Sequence, residues 1–158
     1  MQTARPRRER RNLTILFADL CDSTGLASSM EPELYAGLLT RLRDLQAGII
    51  RRHGGTVVRI DGDGMTCVFG YPMALEDAGR RATEAALDLR EMVARPDLAP
   101  PGRPIEVHSG IHSGVVLVSE GDLVLGTIEI LGEATNVAAR LCDAADAGEI
   151  IVSQSCLG

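Results

Sequence analysis

Residues 56–60 and 65–69 are two short apolar runs of β type, and Asp61-Gly62-Asp63-Gly64 stands between them. A repeated Asp-Gly between such runs is a strong hairpin signal, because both residues tolerate the left-handed backbone of a tight two-strand turn. The centre of the chain is therefore expected to be an antiparallel strand pair. Upstream, residues 13–18 read as a buried strand and residues 32–53 as a helix. In that helix Leu34, Leu38, Leu42, Leu45 and Ile49 recur at steps of four, four, three and four, which is one helical stripe. Pro32 suits its first turn and Gly54-Gly55 its end.

Downstream, Ala78, Ala82, Ala85, Leu89 and Val93 form the inward face of a second helix over 75–93. Residues 95–104 hold four prolines and read as a loop. Segments 105–111 and 115–118 look like strands, 121–130 continues extended through a turn, 133–145 reads as a short helix and 149–152 as a last strand. The order β-α-β-β-α-β predicts an α+β fold, a ferredoxin-like core with an extra strand or arm and a short C-terminal helix.

That topology has a chemical consequence. In it the first strand lies antiparallel to the third, so the end of one adjoins the start of the other. Asp19 closes the first strand and Asp63 sits in the turn that opens the third, so the two carboxylates should meet. Paired carboxylates can hold divalent metal ions that activate an attacking oxygen and stabilise a leaving phosphate. The small polar segment Asp22-Ser23-Thr24-Gly25 follows directly, as a phosphate-sized loop would. Each residue also has a plain structural reading: Asp19 as a turn residue, Asp63 as hairpin chemistry, and Asp22, Ser23 and Thr24 as caps of a short helix. A calcium-binding EF-hand loop starting at Asp61 is excluded, since its twelfth position is Pro72 instead of glutamate.

Composition narrows the choices. The net charge is −6, and there are no tryptophans, two phenylalanines and two tyrosines, which argues against nucleic-acid binding by charge or by base stacking. A nucleotide ligand remains compatible, because bound metal neutralises phosphate locally. No apolar run approaches the ~20 residues of a membrane span. The cysteines at 21, 67, 142 and 156 lack metal-ligand spacing and fit a reduced, cytoplasmic setting. His53, His108 and His112 also lack ligand spacing and read as structural. Residues 1–12 read as a disordered basic lead-in or linker stub, and 13–158 as one domain.

Near the other end, Asn136 and Arg140 are one helical turn apart and share a face. An amide beside a guanidinium suits a ribose and a charged phosphate, although a solvated helix face has the same pattern.

Taken together, several ordered segments resemble the class III nucleotidyl cyclase catalytic domain. They are Phe17-Ala18-Asp19-Leu20 with Ser23-Thr24, His53-Gly54-Gly55-Thr56, and Gly62-Asp63-Gly64 with Val68-Phe69-Gly70. Downstream come Gly110-Ile111-His112-Ser113-Gly114, Asn136-Val137-Ala138-Ala139-Arg140-Leu141 and Gly148-Glu149-Ile150-Ile151-Val152-Ser153. The set runs in family order over nearly the whole chain from Leu13.

The resemblance implies a head-to-tail homodimer with active sites at the subunit interface. One chain would supply Asp19 and Asp63 to two Mg²⁺ or Mn²⁺ ions, with phosphates cradled by amides around Leu20, Cys21, Asp22, Ser23 and Thr24. The partner chain would supply Asn136 for the ribose and Arg140 for charge on the α-phosphate. It implies in-line attack of the 3′-hydroxyl of ATP, giving 3′,5′-cyclic AMP and pyrophosphate.

Two departures stand out. Arg59 and Glu129 occupy the purine-reading positions where adenylate cyclases of this family usually have Lys and Asp or Thr. Both keep the sign of charge: a guanidinium can donate to adenine N1 and a carboxylate can accept from the 6-amino group, so ATP is expected over GTP. An ion pair of Arg59 with Asp61 or Glu129 could instead fill part of the pocket. The family also generally continues past residue 152 with a helix and hairpin that often carry a basic residue for the triphosphate, a role another arginine would have to take here. The alternatives are a catalytically degenerate cyclase domain serving as a nucleotide-binding or dimerisation module, or a guanylate cyclase. A diguanylate cyclase is disfavoured, because its Gly-Gly-Asp/Glu-Glu-Phe turn is absent.

Overall fold

The computed structural model describes residues 8–122 and 127–157. Its frame is a six-stranded sheet built on one long central strand. β1 (Arg8–Leu20) is flanked by β3 (Gly64–Phe69) and β4 (Val107–Asp122), both antiparallel to it. β2 (Gly55–Asp61) pairs with β3 on one side, and β5 (Thr127–Leu131) with β4 on the other, giving the order β2-β3-β1-β4-β5. A short strand, β6 (Ile150–Val152), runs parallel to the first half of β4. The first four strands have the ferredoxin-like arrangement expected from the sequence, and β5 and β6 extend it along β4.

Alternation along β1 assigns the two faces. Leu16, Ala18 and Leu20 point into the larger core, with Met65, Cys67 and Phe69 from β3 and Ile111 from β4. Two helices cover that side: α2 (Pro32–Arg52), entered after the short α1 (Ser23–Ser28), and α3 (Ala78–Val93). Leu42, Ile49, Ile50, Ala82, Ala85 and Leu89 are each at most 4% exposed. Burying a leucine or isoleucine so fully contributes ~1.5–3 kcal/mol. The opposite parity, Leu13 and Ile15, joins Val68, Val116 and Val118 under a single helix, α4 (Glu133–Ala144). A 3₁₀ turn, Gln154–Leu157, ends the described chain.

α4 approaches β4 closely because the facing residues are small. A methyl group added at Gly110 would lie 2.3 Å from the Cys142 amide nitrogen and 2.5 Å from the Ala138 carbonyl oxygen. Alanine there would have to lift the helix. Ala134, Ala138 and Cys142 form the buried side of α4, which turns Asn136 and Arg140 outward.

The structure departs from the sequence reading in several places. β4 is one continuous strand, where two separate runs were expected. Ser113 and Gly114 do not interrupt it, because β1 pairs with it throughout and the Thr14 and Ser113 hydroxyls meet at 2.7 Å. β1 begins at Arg8, so residues 8–12 of the expected disordered lead-in are strand, paired with residues 115–119; residues 1–7 lie outside the described residues. α3 begins at Ala78, three residues later than expected, and Asp77 at its start pairs with Arg81 at 2.8 Å. Leu34 is 63% exposed, since the first turn of α2 borders a depression beside Leu98 and Pro100 instead of the core. Among the described residues no helix is long and apolar enough to cross a membrane.

β2 carries a feature the hairpin signal did not reveal. Its register with β3 shifts between Val57, opposite Cys67, and Arg59, opposite Thr66. Such a bulge re-aims the side chains that follow it. Val57 packs toward the larger core and Val58 toward the smaller one. Beyond the bulge, Arg59 shares its side of the sheet with Thr66 and Phe17.

Candidate active site

Antiparallel pairing of β1 and β3 sets Asp19 opposite Gly64, the residue after Asp63. The two carboxylates are in contact, as the topology predicted. Burial pushes the Asp19 carboxyl up, the Asp63 charge and a hydrogen-bonding contact with that carboxyl push it further, and it reaches about 6. His108, its neighbour on β4, and the Leu20 amide partly offset the rise. Asp19 Oδ1 is buried and has no hydrogen-bond partner among the described residues. A buried acceptor without a donor, beside a second carboxylate, is costly unless a cation completes it.

That donor set fits a hard divalent ion such as Mg²⁺ or Mn²⁺. Among the described residues no cluster of three or more His, Cys, Asp or Glu side chains could hold a metal. The remaining coordination positions would fall to backbone oxygens, water or ligand phosphate. The turn carrying Asp63 is braced from α2, where the Arg43 guanidinium donates to the Gly62 carbonyl.

A cavity of about 170 Å³ opens beside Asp19, lined by Phe17, Asp61, Gly64 and Thr66 and, from α4, by Ala139, Cys142 and Asp143. A second, of about 220 Å³, shares Phe17, Asp61 and Thr66 with it and adds Arg59, Val58, Ile128, Glu129 and Thr135. Arg59 and Glu129, the expected base-reading residues, thus border one cavity. Arg59 is engaged: its Nε donates to Asp61 Oδ2 at 2.7 Å. Among the described residues Glu129 accepts only a long bond, 3.5 Å, from the buried Ser119 hydroxyl.

The segment expected to cradle phosphates is divided in its duties. The Leu20 amide serves the Asp19 carboxylate and the Cys21 amide donates to the Glu106 carbonyl at 2.9 Å. Asp22 takes the left-handed conformation and caps α1, its Oδ1 accepting from the Gly25 amide at 3.2 Å while Oδ2 takes Arg103 at 3.0 Å. The structural role considered for Asp22 is therefore present. Ser23 and Thr24 begin α1, where amides have no helical acceptor and can serve a ligand.

Asn136 and Arg140 are exposed on the outer side of α4, and Arg140 pairs with Glu133. They border neither cavity. Within one chain the structure does not bring them to Asp19 and Asp63. The histidines each have a partner inside the fold: His53 with Asp88, His108 with the Cys142 carbonyl, and His112 with the Ser153 hydroxyl.

Phe17, Thr66, Asp143 and Arg43 went unread in the sequence as site residues, and Asp61 was read there only as one possible ion-pair partner of Arg59. Phe17 had a signal, two residues before Asp19 on the same side of a strand. Thr66 and Asp61 depend on register and on the bulge, and Arg43 and Asp143 on helix placement. A larger depression, about 920 Å³ between α2 and α3, holds none of these groups, and the charges on its rim, Asp44, Arg52, Asp88, Glu91 and Arg95, are mixed in sign. Convergent chemistry, not size, marks the site.

Known proteins share this fold. Residues 6–157 match the family model of the adenylate and guanylate cyclase catalytic domain. An adenylate cyclase of Mycobacterium tuberculosis is 29% identical over 143 residues, which cover 88% of this chain and 31% of that protein. The chain thus spans about a third of that relative's length. The adenylyl cyclase CyaB from P. aeruginosa superposes with a TM-score of 0.86 at 26% identity, covering 95% of this chain and 80% of that one. A guanylyl cyclase domain of the RhoGC fusion protein from the aquatic fungus Blastocladiella emersonii, in a non-canonical dimeric form, gives 0.86 at 27% identity, covering 96% and 84%. With its fold, its ordered segments and nearly its full length in agreement, the chain belongs to the class III adenylate and guanylate cyclase catalytic domain family.

Proposed function

We propose that the chain is an adenylate cyclase that converts ATP to 3′,5′-cyclic AMP and pyrophosphate at sites shared between two copies of itself, in the cytoplasm. The observation that carries this reading is the Asp19–Asp63 pair with Asp19 Oδ1 buried and unpartnered. Asp19 and Asp63 would hold two Mg²⁺ or Mn²⁺ ions. When bound, these would make the ribose 3′-hydroxyl more acidic and neutralise phosphate charge.

The chain's own residues supply position and field. The amides at the start of α1, which follow Asp19 in the chain, would face the triphosphate. Arg59 donates to, and Glu129 accepts from, the edge of the base. Asn136 orients the ribose and Arg140 stabilises charge developing on the α-phosphate; both come from the partner copy, which accounts for their outward direction on α4. Catalysis is then positioning and electrostatics, with no covalent enzyme intermediate. The adenylate cyclases of M. tuberculosis and P. aeruginosa support ATP, and the fungal domain, which forms a non-canonical dimer, supports pairing of such domains without supporting this particular interface.

A second reading is a guanylate cyclase or a nucleotide-binding module without turnover, favoured by the Arg59–Asp61 ion pair already present at the base cavity. One assay separates them. Purified protein receives ATP or GTP with Mg²⁺ or Mn²⁺, and cyclic product is measured. Cyclic AMP is expected; cyclic GMP alone would reassign the substrate, and no product under any pairing would end the enzyme reading.

A further inference from the structure

Asp61 is not accounted for by turn chemistry alone. It ends β2 after the bulge, 68% exposed at its side chain, and it borders both the cavity beside Asp19 and the one between Arg59 and Glu129. Its Oδ2 takes the Arg59 Nε at 2.7 Å. An ion pair this exposed contributes little to folding, so stability does not explain it.

Its geometry does. Arg59 and Glu129 border the same cavity with opposite charge, and among the described residues Glu129 is held only by the 3.5 Å contact with Ser119. Left alone, the guanidinium is drawn to that carboxylate. The pair would then occupy the cavity and cancel the two groups that read a base. Asp61 competes for the guanidinium through its Nε edge, leaving the terminal Nη donors free and Glu129 available as an acceptor. The bulge at Val57/Arg59 makes this possible, because without the extra residue Arg59 would point to the other side of the sheet.

We propose that Asp61 is a positioning residue for purine choice: by holding Arg59 away from Glu129 it keeps the base cavity open, with donor and acceptor apart. The inference rests on the proposed nucleotide site and deepens it. Asp61→Asn loses the anionic competitor, and Asp61→Glu retains it.

The test measures equilibrium binding of ATP and of GTP, and KM and kcat for each, with the full chain and both variants. A titration of Mn²⁺ at fixed ATP is run alongside. For Asp61→Asn, ATP binding is expected to weaken about tenfold, kcat to change less than threefold and the ATP-to-GTP ratio to fall toward one. Asp61→Glu should restore most of the ratio, which a merely structural residue would not require. An unchanged ratio in a folded Asp61→Asn protein overturns the proposal. So does a shift confined to the Mn²⁺ half-saturation, which would move Asp61 to the metal site. Failure of the unaltered chain to bind either nucleotide would instead overturn the nucleotide-site reading itself, and this proposal with it.

Discussion

The two sides of the sheet are built for different purposes. On one, α2 and α3 seal a core in which Leu16, Cys67, Phe69, Ala82, Ala85 and Leu89 are fully buried. On the other, α4 alone covers a smaller cluster, and Phe17, Val58, Ile128 and Ile130 around it remain half-buried. The proposed chemistry lies at the thinly covered side and its rim: Arg59 and Glu129 at an open cavity, Asn136 and Arg140 facing solvent. Burial is concentrated away from the proposed site, and the exposed side is the one that a second copy would complete in the proposed assembly.

Substitutions on the two sides should therefore fail in different assays. Leu89→Ala, deep under the helix pair, is expected to cost ~2–5 kcal/mol in urea unfolding, while any protein that remains folded keeps its metal and nucleotide response. Arg140→Ala should lower cyclic-nucleotide formation by about 10²–10³-fold and move unfolding by no more than ~0.5 kcal/mol. Equal losses of stability from the two would erase the division between the faces.

The shared site gives a sharper cut. Asp63→Ala and Asn136→Ala should each be inactive alone. Mixed in equal amounts they should recover about a quarter of full activity, because half of random dimers are mixed and each mixed dimer has one intact site. Absence of recovery, with both proteins folded and paired, would place every catalytic group in one chain.

A smaller effect lies in Asp19 itself. Its carboxyl is raised from 3.8 to about 6, so the folded metal-free chain holds a proton there that the unfolded chain has released. Stability of that form should decline as pH rises from about 4 to 6, and metal affinity should decline as pH falls through about 6. Because Asp19 is partly solvated, the neutral Asp19→Asn variant should gain only ~1 kcal/mol at pH 7 in thermal unfolding, while losing metal-dependent activity. A loss of stability would mean that the carboxylate supports the fold instead of straining it.

How far the sequence carried this reading depended on the range of the interactions. The helix stripes, the Asp-Gly hairpin and the strand order are local patterns, and they were sufficient to bring Asp19 and Asp63 together before any coordinate was known. The boundaries that moved did so for tertiary reasons. β4 runs through Ser113-Gly114 because β1 is paired along its whole length, and residues 8–12 join the sheet for the same reason.

Within the site, the sequence determined the residue types: two carboxylates, an amide and guanidinium on one helix face, and Arg59 with Glu129. Beyond the meeting of Asp19 with Asp63, the tertiary structure alone decided their relations. Close packing of Ala138 and Cys142 on Gly110 sets which way Asn136 and Arg140 face. A one-residue bulge directs Arg59, and Asp61, not Glu129, holds it. Periodicity records which side of an element a residue occupies, whereas a bulge or a helix seated on glycine reverses or fixes that side through contacts distant in sequence.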